Sequence, residues 1–236
     1  MRPVLTVLGV AIVALIISIL VQDSKQLSPA PQDDYARKKE QEQMQAWKKA
    51  DEEQRRKERS ASREFKPPRE GVVTLVMTVG GRGDVVMELY PKAAPRTVAR
   101  FLELVHSGFY AGIKFHRVVP DFVVQAGDPD TRQMSVEEVA GLSEQQKAAL
   151  GIGAGGSGQT IPFETNNLAH IRSSVAMALN SPRSDTGDSQ FFINLKDNVG
   201  LNGDYCVFGK VIQGMEIVDK IQQGDPIVVI KEKKGA

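Results

Sequence analysis

Cysteine is almost missing from this chain: Cys206 is the only one in 236 residues. An internal disulfide is therefore excluded, as is any zinc or iron–sulfur site built from thiolates. Histidine is scarce too, and His106, His116 and His170 are scattered without the short spacings of a metal-binding motif. No metal and no cofactor are expected. Charge of one sign is also lacking, since the formal net charge is +1. That balance gives no basic face for a nucleic acid and no field for an acidic substrate. Cys206 itself sits in a β-rich run and reads as a small buried hydrophobe rather than a reactive thiol.

What is present divides the chain into three parts, 1–22, 23–70 and 71–236. Residues 3–21 are almost wholly apolar, just long enough to cross the hydrocarbon core of a bilayer as a helix. A cleaved signal peptide would end in a small-x-small site, but Val21-Gln22-Asp23-Ser24 stands there instead. An uncleaved, single-pass signal anchor is the expectation. Lys25, Arg37, Lys38 and Lys39 after the span favour a cytoplasmic body by the positive-inside rule. Asp33, Asp34 and Glu40 are interleaved with them, and a lone N-terminal anchor more often exports the domain attached to it. An extracytoplasmic domain is the expectation, with orientation open.

Residues 23–70 form a charged spacer with both signs mixed and few large apolar side chains besides Trp47 and Phe65. Such a segment buries too little to pack a core of its own. Glu–Lys and Asp–Arg pairs at helical spacing support a solvated helix between Asp34 and Arg59, with disorder as the alternative. Pro67-Pro68 ends it.

From Gly71 the pattern changes to short alternating runs. Val72 to Val79 and Asp84 to Leu89 read as two strands joined across Gly80-Gly81-Arg82-Gly83. Pro95 to His106 has helical periodicity, with Val98, Phe101, Leu102 and Val105 on one face. Gly214 to Ile221 reads as a second helix. Within 131–150, Ser135 with Glu138 and Ser143 with Gln146 have the spacing of capping boxes, so two short helical turns are expected there. Gly153-Ala154-Gly155-Gly156-Ser157-Gly158 lacks the lysine that would complete a phosphate loop.

The most informative stretch is Phe115-His116-Arg117-Val118-Val119-Pro120-Asp121-Phe122-Val123-Val124-Gln125-Ala126-Gly127-Asp128. It reads as a hairpin that carries an arginine among apolar residues with no acidic neighbour. A guanidinium stays charged and is costly to bury alone, so Arg117 should lie at the rim of an apolar surface. Further on, Ser189-Gln190-Phe191-Phe192-Ile193-Asn194 is a strand in which Gln190 and Phe192 share a face. Leu201-Asn202-Gly203 and Tyr205-Cys206-Val207-Phe208-Gly209 come after it.

Together these runs resemble the cyclophilins, peptidyl-prolyl cis–trans isomerases, over roughly Gly71 to Lys231. The resemblance implies a mainly β fold, a closed eight-stranded antiparallel barrel capped by two α-helices. It implies that proline-containing polypeptides are the substrates. Arg117 matches the catalytic arginine, with Phe122 and Gln125 beside it. Phe122, Val123, Phe192 and Leu201 match the slot for the proline ring. Gln125, Ala178 and Gln190 match the groups that hold the substrate backbone, and the glycine-rich loop lines the groove beyond the slot. Relative to the compact members, 131–150 is an insertion, either a lid or a decoration, and Asn180 to Asp188 is lengthened. Tyr205 stands where a histidine is usual, and Leu179 where an asparagine is. Gly200 is nearest to the tryptophan associated with tight cyclosporin binding, so weak sensitivity is expected. Prolyl isomerisation needs no nucleophile, base or metal, in keeping with the scarcity of such groups. Two functions stay open: an isomerase assisting folding near a membrane, favoured by Arg117, and a membrane-tethered proline-binding module or scaffold. A monomer is expected.

Overall fold

The computed structural model describes residues 31–61 and 65–233. The apolar run 3–21 lies outside the described residues, and among those described no helix is long and apolar enough to cross a membrane. The chain divides into two compact units at Glu53/Gln54.

Helix α1, Pro31–Ala61, includes the charged stretch, with Met44 and Trp47 exposed on it. The helical alternative for the spacer is thus the observed one over these residues. Its many oppositely charged i,i+4 neighbours support a helix that lacks an apolar face.

The second unit is built on eight antiparallel strands: β1 Val73–Val79, β2 Gly83–Leu89, β3 Arg117–Val119, β4 Val123–Ala126, β5 Ser174–Met177, β6 Phe191–Asn194, β7 Val207–Gln213 and β8 Ile227–Glu232. They pair in the order β3-β4-β6-β5-β7-β2-β1-β8. The expected closure of the barrel is corrected here: the outer strands β3 and β8 do not pair, and the sheet is open. The two edges meet through the residues that precede β3 and those at the start of β8. Lys114 and Pro226 form an isolated bridge, Phe115 N–H donates to Asp225 O at 3.0 Å, and Ile227 N–H donates to Ile113 O at 2.8 Å. β3 is three residues long, too short to carry a ladder along the six residues of β8.

Alternation places the core. Leu75, Met77 and Val79 of β1 and Val85, Met87 and Leu89 of β2 are fully buried, with half-exposed residues between them. Helix α2, Pro95–His106, starts with Pro95 in its first turn and buries Val98, Phe101, Leu104 and Val105. The Phe101 ring lies about 5 Å from each of Tyr110, Phe191 and Phe208, in tilted and edge-on contacts. The second expected helix is shorter than Gly214 to Ile221. Helix α5 spans Met215–Val218, and Lys220 and Ile221 continue it with three-residue turns.

The insertion forms helices α3, Val136–Gly141, and α4, Glu144–Leu150, each opened by a complete capping box, from Ser135 and Ser143 respectively. It is fastened to the body. The Gln223 side-chain amide donates to Val139 O at 2.7 Å and Leu142 O at 3.0 Å, occupying carbonyls at the end of α3. At Gly224 (φ 97°) an added Cβ would stand 2.4 Å from Val136 O, so this approach requires glycine.

Candidate active site

The hairpin turn sets the arginine. Phe122 N–H donates to Val119 O at 3.1 Å, with Pro120 at the second turn position and Asp121 (φ 55°) at the third, as a type II turn demands. The register then aligns four strands: Arg117 opposite Gln125, Gln125 opposite Phe192, and Phe192 opposite Ala176. The adjacent row, Val118, Val124, Ile193 and Val175, packs into or against the barrel core. Period two therefore sends Arg117, Gln125 and Phe192 to the opposite face.

On that face Arg117, Phe122, Val123, Gln125, Ala178, Leu179, Phe192, Leu201 and Tyr205 line one cavity of about 260 Å³. Val123 and Phe192 form its buried floor. Arg117 Cζ lies 5.5 Å from the centroid of the Phe122 ring, a cation–π distance. Every residue expected in the slot from sequence is gathered here; Gln190 lies beside it. A second cavity of about 310 Å³ adjoins, lined by Gln190, the glycine-rich loop and the 180–188 segment, and shares Gln125, Ala178 and Leu179 with the first.

A hydrogen-bonded chain connects the two. Arg117 Nη1 donates to Gln125 Oε1 at 3.3 Å, and Gln125 Nε2 donates to Gln190 Oε1 at 2.9 Å. Gln190 Nε2 then donates to the carbonyls of Gly153 at 3.0 Å and Gly155 at 2.7 Å. Arg117 forms no ion pair among the described residues. Its guanidinium has five N–H donors, and among the described residues Gln125 Oε1 is the side-chain acceptor that Nη1 reaches.

Beneath Phe192 lies His170, stacked on it at 5.8 Å with 15° between the ring planes. His170 Nε2 is 3.2 Å from Tyr205 O and its Nδ1 is 3.3 Å from the Asn194 amide nitrogen, which assigns Nε2–H as donor and Nδ1 as acceptor. Burial lowers its pKa to about 4, against a smaller upward pull from the Tyr205 carbonyl, so the ring is neutral near pH 7. The Tyr205 hydroxyl is pushed above its ordinary pKa chiefly by desolvation, so it keeps its proton and can donate. Cys206 is buried and its thiol is raised to about 12 by burial, which makes it inert.

The glycine-rich loop holds the protein's own carboxylates. Gly153 N–H and Gly155 N–H donate to Asp128 Oδ2 at 2.5 and 3.3 Å, and Gly158 N–H donates to Asp188 Oδ2 at 3.0 Å. These amides are not offered to a phosphate. A Cβ on Gly155 would fall 2.3 Å from Asp128 Oδ1, and one on Gly156 would fall 2.4 Å from Asp188 Oδ2, which explains both glycines.

Two groups that support the site are not apparent from sequence. Asp128 is wholly buried as the anchor of the loop. Lys147 is nearly buried, and its ammonium donates to His116 O at 3.0 Å, immediately before Arg117, and to Gln223 Oε1 at 2.9 Å. In sequence Lys147 is one more charge on a polar helix; only its place in α4, facing the hairpin, reveals the role.

The family model described as "Cyclophilin type peptidyl-prolyl cis-trans isomerase/CLD" matches residues 74–234. The chain belongs to the cyclophilin-type peptidyl-prolyl cis–trans isomerases. Its isomerase domain is 40% identical to peptidyl-prolyl cis-trans isomerase B of Bacillus subtilis, over 63% of this chain and 87% of that one. It is 38% identical to a Helicobacter pylori peptidyl-prolyl cis-trans isomerase, over 62% and 78% of the two chains. A cyclophilin from Cryptosporidium parvum superposes with a TM-score of 0.56 at 26% identity, covering 70% of this chain and 99% of its own. The same parasite cyclophilin, in the presence of the dipeptide Ala-Pro, gives 0.54 at 27% identity, covering 69% and 99% of the two chains. This cyclophilin is thus an isomerase of Xaa-Pro bonds.

Proposed function

We propose that this cyclophilin accelerates Xaa-Pro rotation through Arg117, with the proline ring seated on Phe192, Val123, Phe122 and Leu201. Twisting the C–N bond costs about 18–20 kcal/mol, because amide resonance is lost. Resonance gives the planar amide nitrogen little basicity; as the bond twists, its lone pair localises and can accept a hydrogen bond. A fixed guanidinium beside that nitrogen favours the twisted state over the planar one and needs no reorganisation during rotation. Gln125, Gln190 and Ala178 hold the substrate backbone while one side of the bond turns.

The observation that supports this reading is the Arg117 guanidinium, held by Gln125 at the edge of an apolar slot. Leu179 lines both the slot and the next cavity with an apolar side chain, and Tyr205 lines the slot with a residue that carries a hydroxyl. The test is the isomerisation rate of a short Xaa-Pro peptide with full-length protein and with Arg117→Ala. A loss of about a thousandfold, equivalent to about 4 kcal/mol of the barrier, is expected. An Arg117→Ala protein that keeps its rate would contradict the assignment.

Residues 3–21 are proposed to tether the enzyme to a membrane, with the isomerase domain on the extracytoplasmic side, where it would assist proline-limited folding. The apolar length of that run supports the tether. Release of the full chain from membrane vesicles by alkaline carbonate would contradict it.

A further inference from the structure

A third cavity lies on the other side of Arg117 from the proline slot. It measures about 400 Å³ and is lined by His116, Arg117 and Gln125 on one side and by Glu144, Lys147, Ala148 and the 151–154 segment on the other. It shares Arg117 and Gln125 with the slot, and Gln125, Gly153 and Ala154 with the cavity over the glycine-rich loop. Gln125 therefore stands where all three meet. The far wall is helix α4 and the turn after it, so the insertion builds this cavity.

We propose that the insertion-lined groove is a substrate subsite that takes residues flanking the proline of a polypeptide, with preference for an acidic side chain. The proposal rests on the reading of the neighbouring slot as the proline site. A polypeptide advances roughly 3.3–3.6 Å per residue when extended, so residues a few positions from a proline in the slot must leave over one of the adjoining cavities. The wall is firm. Lys147 is tied to His116 O and Gln223, and Gln223 is tied in turn to the carbonyls of α3. Gly151 (φ 73°) ends α4 in the left-handed conformation and turns the chain towards Gly153, which Asp128 fixes. A firm wall lowers the ordering cost of binding.

Charge sets the preference. The ionisable groups that line the groove are Arg117, Lys147, Glu144 and His116. His116 is buried and neutral near pH 7, its pKa lowered to about 4 mainly by desolvation. Glu144, itself exposed, pairs with Lys147 at 2.5 Å, which leaves Arg117 as the net charge among the lining side chains; Asp128 lies behind the loop with its carboxylate taken up by the Gly153 and Gly155 amides. An acidic side chain is favoured there, and a basic one disfavoured.

The experiment compares kcat/KM for a four-residue Xaa-Pro peptide with that for longer peptides carrying Glu, Gln or Lys at each of the three positions before and after that dipeptide. It uses full-length protein, Ala148→Trp and Glu144→Lys. Ala148 and Glu144 are exposed on α4; Glu144→Lys removes the exposed ion-pair partner of Lys147 but not the groups that hold Lys147 on the packed side, His116 O and Gln223 Oε1. For the unaltered protein, long Glu peptides are expected to exceed long Lys peptides by about two- to fivefold at one or two flanking positions. Glu144→Lys should widen that ratio, and Ala148→Trp should reduce the advantage of long over short peptides. A Glu/Lys ratio of one at every position, or a long-to-short ratio that Ala148→Trp leaves unchanged, would overturn the subsite. Loss of the proline-slot reading would look different: the four-residue peptide would then not be turned over by the unaltered protein.

Discussion

The two cavities that flank Arg117 rest on buried histidines in opposite states of satisfaction. Under the proline slot, His170 stacks on Phe192, and both its nitrogens are engaged, by Tyr205 O and Asn194. Under the insertion-lined groove, His116 is equally buried, yet neither ring nitrogen has a hydrogen-bond partner among the described residues. The floor of the slot is made of strand residues in register, whereas the groove is made where a hairpin, a glycine-rich turn and an inserted helix converge. The first region is held by strand register and a satisfied histidine, the second by the fastening of its wall through Lys147 and Gln223. The slot suits the ring common to all substrates, and the groove suits the residues that differ among them.

The largest effect that would sharpen this contrast comes from Phe192→Ala. It removes the slot floor and the partner of His170 at once. A stability loss of about 3–5 kcal/mol is expected in denaturant titration, together with a fall of at least about tenfold in kcat/KM. A change confined to kcat/KM would mean that the floor is not part of the packed unit.

Acidification tests both histidines. Each has a folded-state pKa of about 4 against an ordinary value of 6.5. The folded state therefore binds fewer protons than the unfolded one between those values, and stability falls as pH drops. The contribution is complete above about pH 6.5 and is lost progressively down to about pH 4, to a ceiling on the order of 3 kcal/mol per ring. His170→Phe should flatten that slope. Stability that does not change between pH 7 and pH 4.5 would contradict the burial of both rings in neutral form.

Much of this architecture is legible in the residues. The hairpin from Arg117 to Ala126, the helix Pro95–His106 and both capping boxes depend on neighbours within a few positions, and period and turn chemistry carry them. The slot residues come from the family resemblance together with alternation along β4 and β6. The unpaired edge between β3 and β8 is not legible, because pairing across about a hundred residues leaves no local signal. Lys147 and Asp128 are hidden for a related reason. A lysine on a polar helix and an aspartate after glycine look solvated until the fold closes over them.

Lys147→Met probes the groove's fastening. The methionine fills the space but leaves His116 O and Gln223 Oε1 without their donor. A stability loss of about 1–3 kcal/mol is expected, with a smaller fall in kcat that Lys147→Arg partly restores. An unchanged kcat would separate the insertion from the positioning of Arg117. The smallest effect expected is from Ser143→Ala, which removes the α4 cap and should cost about 1 kcal/mol or less, read as earlier thermal unfolding. No change on that substitution would mean that α4 is held by Lys147 and not by its cap.

The most direct test of the central claim measures binding and turnover in one sample. Exchange spectroscopy by NMR on a short Xaa-Pro peptide with full-length protein reports both the bound fraction and the cis–trans interconversion rate. The account predicts that Arg117→Ala keeps peptide binding within a few-fold while catalysed exchange falls by about a thousandfold. Undiminished exchange in Arg117→Ala, or binding and exchange lost in equal measure, would contradict it.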